Sequence, residues 1–177
     1  MRKIVLYIAM SLDGYIADIN GKVDWLTGEN INNNCMDSYL NFIKTIDTVI
    51  IGKNTYNQIV NELSPNNWVY SGMKSYVITN NLFDNTDEII SVNEDVCSLV
   101  AKLKKEEGKN IWICGGSNIV NQLIEKNLID IYHISVIPTI LGNGIKLFNK
   151  FDVERKLKLI NNSSYNGIVD LVYENRL

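Results

Sequence analysis

Two glycines followed by a serine, in segment 112–123, carry the residue types that point most directly to chemistry in this sequence. The apolar run 111–114 has the length and β-branching of a buried strand, and Gly115 and Gly116 separate it from a segment with helical spacing. Glycines let a ligand approach the backbone closely, and the free amides of a first helical turn favour an anion. The turn therefore predicts either a phosphate site or an ordinary turn in which Ser117 caps the helix.

Two further strand ends carry similar small and polar residues. The first begins at Gly52 and the second follows an apolar run at 75–78. Ligands of open α/β sheets bind beyond the carboxyl ends of the strands, so these ends and the glycine pair together predict a split diphosphate site. Lys53 adds a cation that either pairs with a phosphate or stays solvated at a helix start. The residues of the three ends are Gly52, Lys53, Asn54, Thr55, Thr79, Asn80, Gly115, Gly116, Ser117 and Asn118.

Other residue types that commonly carry chemistry are few. Cys35, Cys97 and Cys114 are odd in number and far apart, which indicates neither a disulfide framework nor a thiolate metal site. His133 is the only histidine and lies in an alternating, strand-like segment, and one histidine does not make the usual zinc site. We therefore predict no bound metal and assign His133 no chemistry.

Length and composition restrict the class of protein. A chain of 177 residues, 46% of them hydrophobic, can bury one sizeable core, so we expect a single domain over 1–177. A net charge of −3 argues against a nucleic-acid surface. No apolar stretch reaches the roughly 18 residues of a membrane span, and the first strand lacks a signal-peptide cleavage pattern. We expect a cytoplasmic protein without nucleic-acid or membrane partners.

The order of the elements predicts how these residues are positioned. Strands are predicted at 3–10, 48–51, 75–79 and 110–114, and helices at 37–46, 54–60, 93–107 and 117–126. After residue 129 the strands 131–137, 156–161 and 168–174 follow without helices, with a hairpin turn at Asn166 and Gly167. This alternation predicts an α/β domain whose mostly parallel sheet has an antiparallel C-terminal edge.

Four motifs, in chain order, resemble those of one enzyme family. Segment 9–17 reads A-M-S-L-D-G-Y-I-A, with Gly21 and W-L-T at 25–27 downstream. Segments 52–56 and 138–144 read G-K-N-T-Y and P-T-I-L-G-N-G, and the glycine pair lies between them. Together the motifs resemble the reductase domain of the bifunctional riboflavin-biosynthesis deaminase-reductase and, more distantly, dihydrofolate reductase. The resemblance covers nearly the whole chain.

The resemblance implies a dihydrofolate reductase-like three-layer fold that binds NADPH. In it, Ala9 and Ile16 offer backbone groups to the nicotinamide amide, while Thr79 and Asn80 lie near the adenosine ribose. The phosphates are met by Lys53, Asn54 and Thr55, and the diphosphate is wrapped by Gly115, Gly116, Ser117, Asn118 and Ile119. It also implies a cis peptide bond within the glycine pair and a homodimer that pairs through the C-terminal strands.

The substrate half of the site is less defined. By the same resemblance Asp37 is the candidate carboxylate for contact with a substrate ring, but its place at a helix start favours an N-terminal capping role. Trp25 either lines the substrate pocket or simply packs against other side chains.

Two departures weigh against a riboflavin-pathway substrate. The family's D-D-P segment is replaced by I-V-N-E-L-S-P at 59–65, and the zinc deaminase motifs H-x-E and P-C-x-x-C are absent. In this the chain resembles the stand-alone reductase-domain proteins of bacteria. The expected function is NADPH-dependent reduction of a small heteroaromatic compound, resembling 5-amino-6-(5-phosphoribosylamino)uracil reductase. The alternatives are a catalytically silent nucleotide-binding homologue and a dihydrofolate reductase proper.

Overall fold

Strands and helices alternate through the first three quarters of the chain, in a computed structural model that describes residues 1–30, 37–149, 152 and 154–176. The strands are β1 (Ile4–Ser11), β2 (Tyr15–Ala17), β3 (Ile46–Gly52), β4 (Lys74–Ile78), β5 (Ile89–Val92), β6 (Asn110–Gly115), β7 (Ile131–Ile137), β8 (Ile145–Lys146), β9 (Leu157–Tyr165) and β10 (Ile168–Asn175). The helices are α1 (Asp37–Ile43), α2 (Lys53–Gln58), α3 (Val96–Leu103) and α4 (Ser117–Glu125), and a π-helical segment, Ile59–Leu63, directly follows α2. Within these described ranges, no helix is both long and apolar enough to cross a bilayer.

Eight strands form the central sheet, in the order β5-β4-β3-β6-β1-β7-β10-β9. The six strands from β5 to β7 run parallel, so their carboxyl ends lie at one edge of the sheet. β10 and β9 add an antiparallel edge, and β2 pairs with β8 in a separate two-stranded sheet. The predicted mostly parallel sheet with an antiparallel C-terminal edge is confirmed.

Both faces of the parallel strands are buried, which explains their nearly continuous apolar sequences. On one face α3 and α4 cover a core that includes Leu6, Ile113 and Leu123, each 0% exposed. On the other face α1 and the π-helical segment cover Val49, 0% exposed, and Trp112, 4% exposed. The two layers of helices and the sheet between them form the expected three-layer architecture.

Two predicted helices are shorter than their apolar spacing suggested. The helix predicted at 37–46 ends at Ile43, because Ile46 already belongs to β3. The helix predicted at 93–107 begins only at Val96, where the Asp95 carboxylate accepts a hydrogen bond from the Ser98 amide at 2.8 Å. The apolar residues before that cap form β5, a strand that the sequence pattern did not indicate.

The run of four charged residues at 104–107 contributes one ion pair to the fold. Lys104 makes an ion pair with Asp130, whose two carboxylate oxygens each lie 2.7 Å from the ammonium nitrogen. The same carboxylate accepts a hydrogen bond from the Ile4 amide at 2.7 Å. This pair therefore ties the end of α3 to the beginnings of β1 and β7.

The hairpin between β9 and β10 turns at the predicted Asn-Gly pair. Asn166 and Gly167 have φ values of 49° and 76°, the positive values that a tight hairpin turn of this kind requires. The Glu29 amide donates a hydrogen bond to the Asn166 carbonyl at 2.9 Å. The turn is confirmed, and it also holds the loop that precedes α1.

β9 is the last strand of the sheet and is exposed along most of its length. Leu159 and Ile160 leave 46% and 44% of their surface exposed. An exposed strand edge with apolar side chains is a surface on which a second copy could pair. The homodimer that the sequence resemblance implies stays a prediction.

Replacing Leu123 by alanine should lower the free energy of unfolding by about 2–5 kcal/mol, because a fully buried leucine leaves a cavity between α4 and the sheet. Urea unfolding measures this change. The matched control is Leu82→Ala, at a leucine that is 63% exposed, where we expect a change within about 0.5 kcal/mol. Equal losses in the two variants would contradict the described core.

Candidate functional site

Two helices begin at the same edge of the sheet without a side-chain cap. Gly52 is the N-cap of α2 and Gly116 that of α4, and neither helix has a side-chain hydrogen bond at its cap among the described residues. Ser117 is the first residue of α4, so the alternative in which this serine caps the helix is wrong. The first-turn amides of α4 therefore remain suited to an anion, in contrast to α3, whose cap is Asp95.

The ends of β3 and β6 meet where these helices begin. A Cβ atom placed on Gly52 would lie 3.3 Å from Ile119 Cδ1 and 3.5 Å from the Gly116 nitrogen, and one on Gly116 would lie 3.4 Å from Thr55 Oγ1. Gly115 has a φ of +125°, which favours glycine, and the expected cis peptide bond between Gly115 and Gly116 is present. The structure thus brings the first and third predicted strand ends together in a backbone cradle. A Cβ atom on Gly52 would crowd that cradle, whose backbone amides could hold a phosphate group.

Lys53 does not extend freely into solvent. Its ammonium nitrogen lies 4.0 Å from the centroid of the Phe83 ring and 4.8 Å from that of the Tyr56 ring. The two rings stack at 5.2 Å and hold the cation by its attraction to their faces. Neither ring was among the predicted site residues, because Phe83 lies in a loop that is distant in sequence. Asn54, next along α2, is exposed.

The second strand end, after β4, is shaped by its own hydrogen bonds. Thr79 is buried at 8% exposure, and its hydroxyl oxygen accepts a hydrogen bond from the Asn81 amide at 3.1 Å. The Thr79 amide donates to the Val92 carbonyl at 2.9 Å. Thr79 therefore fixes the loop, while Asn80 is exposed, as is Asn118 at the start of α4.

The S-L-D-G motif is bonded to the distant P-x-x-L-G-x-G motif. The Asp13 carboxylate accepts hydrogen bonds from the Ser11 hydroxyl at 2.6 Å and from the amides of Leu141 and Gly142 at 3.1 and 2.7 Å. The hydrogen bond from Ser11 is the largest of the effects that lower the pKa of Asp13 below its ordinary value. One aspartate thus holds together two motifs that the sequence presented separately.

Ala9 and Ile16 lie on either side of that turn. Ala9, in β1, is paired with Ser135 of β7. Ile16, in β2, is half-buried and packs against the core under α3 and α4. Their backbone contacts with a nicotinamide stay a prediction.

Of the two residues predicted for the substrate half of the site, the structure describes the side chain of Trp25. The Trp25 indole nitrogen donates to the Lys22 carbonyl at 3.3 Å within its own turn, and the side chain is half-buried. Asp37 begins α1, but its side chain lies outside the described residues, so both of its expected roles stay predictions. Cys35 also lies outside them.

A polar cluster that the sequence pattern did not indicate lies on the face of the sheet that α1 covers. The Ser135 hydroxyl donates to Asp170 Oδ1 at 2.6 Å, and His133 Nε2 lies 3.5 Å from Asp170 Oδ2. The Tyr7 and His133 rings meet edge to face, with centroids 4.2 Å apart. The alternation of His133 and Ser135 was visible in the sequence, but only the pairing of β7 with β10 places Asp170 beside them.

Burial alone would raise the pKa of Asp170. The nearby His133 imidazole and the hydroxyls of Ser135 and Ser38 outweigh that effect, so the pKa lies below its ordinary value. The carboxylate is therefore held in its charged form although its side chain is only 2% exposed.

Asp13→Asn should lower the urea midpoint at pH 7, because an amide does not replace a carboxylate that accepts three hydrogen bonds. The folded-state pKa of Asp13 lies below its unfolded value of about 3.9. The carboxylate's contribution to stability is therefore present above about pH 4 and is lost as the pH falls through the folded-state pKa. Urea midpoints at pH 7 and pH 3 measure it.

The difference between wild type and Asp13→Asn should accordingly be smaller at pH 3 than at pH 7. Asp24→Asn, at an exposed aspartate of the following loop, is the control and should change neither midpoint appreciably. An equal difference at both pH values would contradict the role given to the Asp13 carboxylate.

Comparison with known proteins now identifies the family. The family model described as RibD C-terminal domain matches residues 2–173. The uncharacterized protein YwjB of Bacillus subtilis (strain 168) is 42% identical over 176 residues, 97% of each chain. A structure from Shewanella sp. PV-4, named as a riboflavin biosynthesis protein, has a TM-score of 0.85 and 28% identity over 100% of both chains.

Dihydrofolate reductase from Enterococcus faecalis, solved with NADP(H), has a TM-score of 0.66 at 18% identity. The match covers 98% of this chain and 96% of that one, and it shows a shared fold. The chain therefore has a dihydrofolate reductase-like fold and belongs to the RibD C-terminal domain family.

Proposed function

We propose that this protein is an NADPH-dependent reductase of a small heteroaromatic compound, such as a pyrimidine or a pterin. The observation that carries the proposal is the meeting of two glycine-capped helix starts, α2 and α4, where added Cβ atoms would crowd the backbone. Amides without a side-chain cap suit a diphosphate. Membership of a reductase-domain family, and the shared fold of a reductase solved with NADP(H), support the same cofactor.

Different strand ends would hold different parts of the cofactor. The phosphates would be held by Gly52 to Thr55 and by Gly115 to Ile119. The adenosine would lie against Thr79 and Asn80, and the nicotinamide against Ala9 and Ile16. When bound, NADPH supplies a hydride. The protein's part is to place the nicotinamide against the substrate, to keep water from the reacting atoms and to provide a proton.

The proposed substrate resembles 5-amino-6-(5-phosphoribosylamino)uracil in carrying a heteroaromatic ring. The family's D-D-P segment, used there for a sugar phosphate, corresponds here to a stretch that includes the π-helical segment Ile59–Leu63. This stretch directly follows the C-terminal end of α2, whose N-terminal end is at Gly52. We therefore propose a heteroaromatic substrate without assigning a ribosyl phosphate group to it.

Fluorescence titration with NADPH, followed by steady-state oxidation of NADPH, tests the proposal. The substrates are 5-amino-6-(5-phosphoribosylamino)uracil and dihydrofolate, and we expect NADPH to bind and one of them to be reduced. Binding without reduction of either compound would favour a silent nucleotide-binding homologue. Absence of NADPH binding would refute the proposal.

Lys53→Ala should raise the dissociation constant for NADPH about tenfold, which corresponds to the loss of about 1.4 kcal/mol from a lysine–phosphate contact. The constant for NADH, which lacks the ribose phosphate, should change by less than about threefold. Lys158→Ala, at the far edge of the sheet where the lysine pairs with Glu174 at 3.2 Å, is the control. An equal loss for both nucleotides would place Lys53 at the diphosphate instead.

A further inference from the structure

The proposed reduction needs a proton as well as a hydride, and the strand ends offer no acid for it other than the Lys53 ammonium, which is assigned to a phosphate. Lys53 is the only ionisable side chain in segments 52–55, 79–80 and 115–119. The nearby Asp13 carboxylate already accepts three hydrogen bonds from Ser11, Leu141 and Gly142. A proton donor for the substrate must therefore come from another part of the site.

The cluster around His133 lies on the same face of the sheet as Ala9. In the register of the strands Ala9 is paired with Ser135, and Ser135 is paired with Asp170. Paired residues of neighbouring strands share a face and lie about 4.8 Å apart, so Asp170 is about 10 Å from Ala9 across the sheet. His133 is two residues before Ser135 and points to that face as well. The cluster therefore borders the place proposed for the nicotinamide, on the side away from the diphosphate.

His133 and Asp170 lie close together without a hydrogen bond of normal geometry between them. His133 Nε2 and Asp170 Oδ2 are buried and 3.5 Å apart, and the described residues give neither atom a hydrogen bond of normal geometry, although the Ser38 hydroxyl also lies near the carboxylate. The other oxygen of Asp170 is held by Ser135 at 2.6 Å. Buried polar atoms are nearly always satisfied, and exceptions often mark functional sites. A proton on the imidazole would turn the 3.5 Å contact into a charge-assisted hydrogen bond, as catalytic contacts often tighten only during the reaction.

We propose that His133 is the catalytic proton donor of the reduction and that Asp170, held in place by Ser135, is its positioning residue. The inference rests on the proposed function. His133 is the more accessible member of the pair, since its side chain is 13% exposed against 2% for Asp170. Tyr7 packs edge to face against the imidazole and limits its rotation.

The hydride and its electron pair, supplied by NADPH, form a C–H bond at the carbon of a substrate C=N bond, and NADP⁺ is the oxidised product. The Nδ1–H bond of the His133 imidazolium breaks and an N–H bond forms at the substrate nitrogen, while Nε2 keeps its proton toward Asp170. Neutral imidazole remains beside the Asp170 carboxylate until water returns the proton.

Three variants test the roles. His133→Gln and Asp170→Asn keep the approximate shape of each side chain but remove the acid and the negative charge. Tyr132→Phe is the matched control, because the Tyr132 hydroxyl is also buried without a described partner but lies in the core under α3 and α4, on the opposite face of β7. Urea unfolding and NADPH titration establish that each variant folds and binds the cofactor.

The activity arm uses whichever of the two compounds the wild type reduces. Loss of a general acid costs roughly 10²–10⁴-fold in rate, so kcat should fall at least about 100-fold in His133→Gln. In Asp170→Asn, kcat should fall at least about tenfold. KM should stay within about threefold of the wild-type value in both variants, and Tyr132→Phe should have the kcat and KM of the wild type. A kcat within threefold of wild type in His133→Gln would overturn the proposal.

The second arm does not depend on turnover. Because His133 is the only histidine, ¹⁵N-histidine labelling gives one pair of ring nitrogen signals in the free protein. We expect the proton on Nε2 in the wild type and a shift of the proton toward Nδ1 in Asp170→Asn. Identical spectra would overturn the positioning role. A wild type that reduces neither compound would contradict the proposed function itself, whereas active variants beside an active wild type would contradict only the inference.

Discussion

The parallel pairing of β3 with β6 is the constraint on which the rest of the site depends. The two strands end within one residue of each other in register, with Ile51 paired to Gly115, and each passes directly into a helix. The starts of α2 and α4 are therefore forced to the same point, where their amide ends face the same space. Side chains at these positions would separate the two helix starts, and the glycines Gly52 and Gly116 have no side chains. The proposed anion site thus depends on backbone geometry, with Lys53 as an addition held by two aromatic rings.

Local chemistry explains which parts of the fold and site were predictable from sequence. The glycine pair, the Asn166-Gly167 turn and β7 each depend on neighbouring residues, so short patterns were sufficient to predict them. Helix ends were less predictable, because apolar residues such as Ile46 satisfy a helical period and a strand equally well. There the pairing of β3 with β6 decides the structure.

Contacts that depend on register could not be read from the sequence. His133 and Asp170 are 37 positions apart, and a shift of one residue between β7 and β10 would turn Asp170 to the opposite face. The Phe83 ring over Lys53 likewise depends on a loop path that no local pattern encodes. A solitary histidine in a strand does not indicate its partner, so the sequence alone assigns His133 no chemical role.

The two faces of the sheet differ in the chemistry of their buried residues. Under α3 and α4 the buried residues are almost entirely aliphatic, including Ile4, Leu6 and Val100, and this side forms a rigid support. Under α1 the core contains aromatic rings, and at its β10 side Asp170 holds a buried charge. A buried carboxylate is costly unless its oxygens are bonded, and Ser135 satisfies only one of them. This costly buried charge lies on the face that includes Ala9 and not on the aliphatic face. Its position is consistent with a reacting site on this side of the sheet.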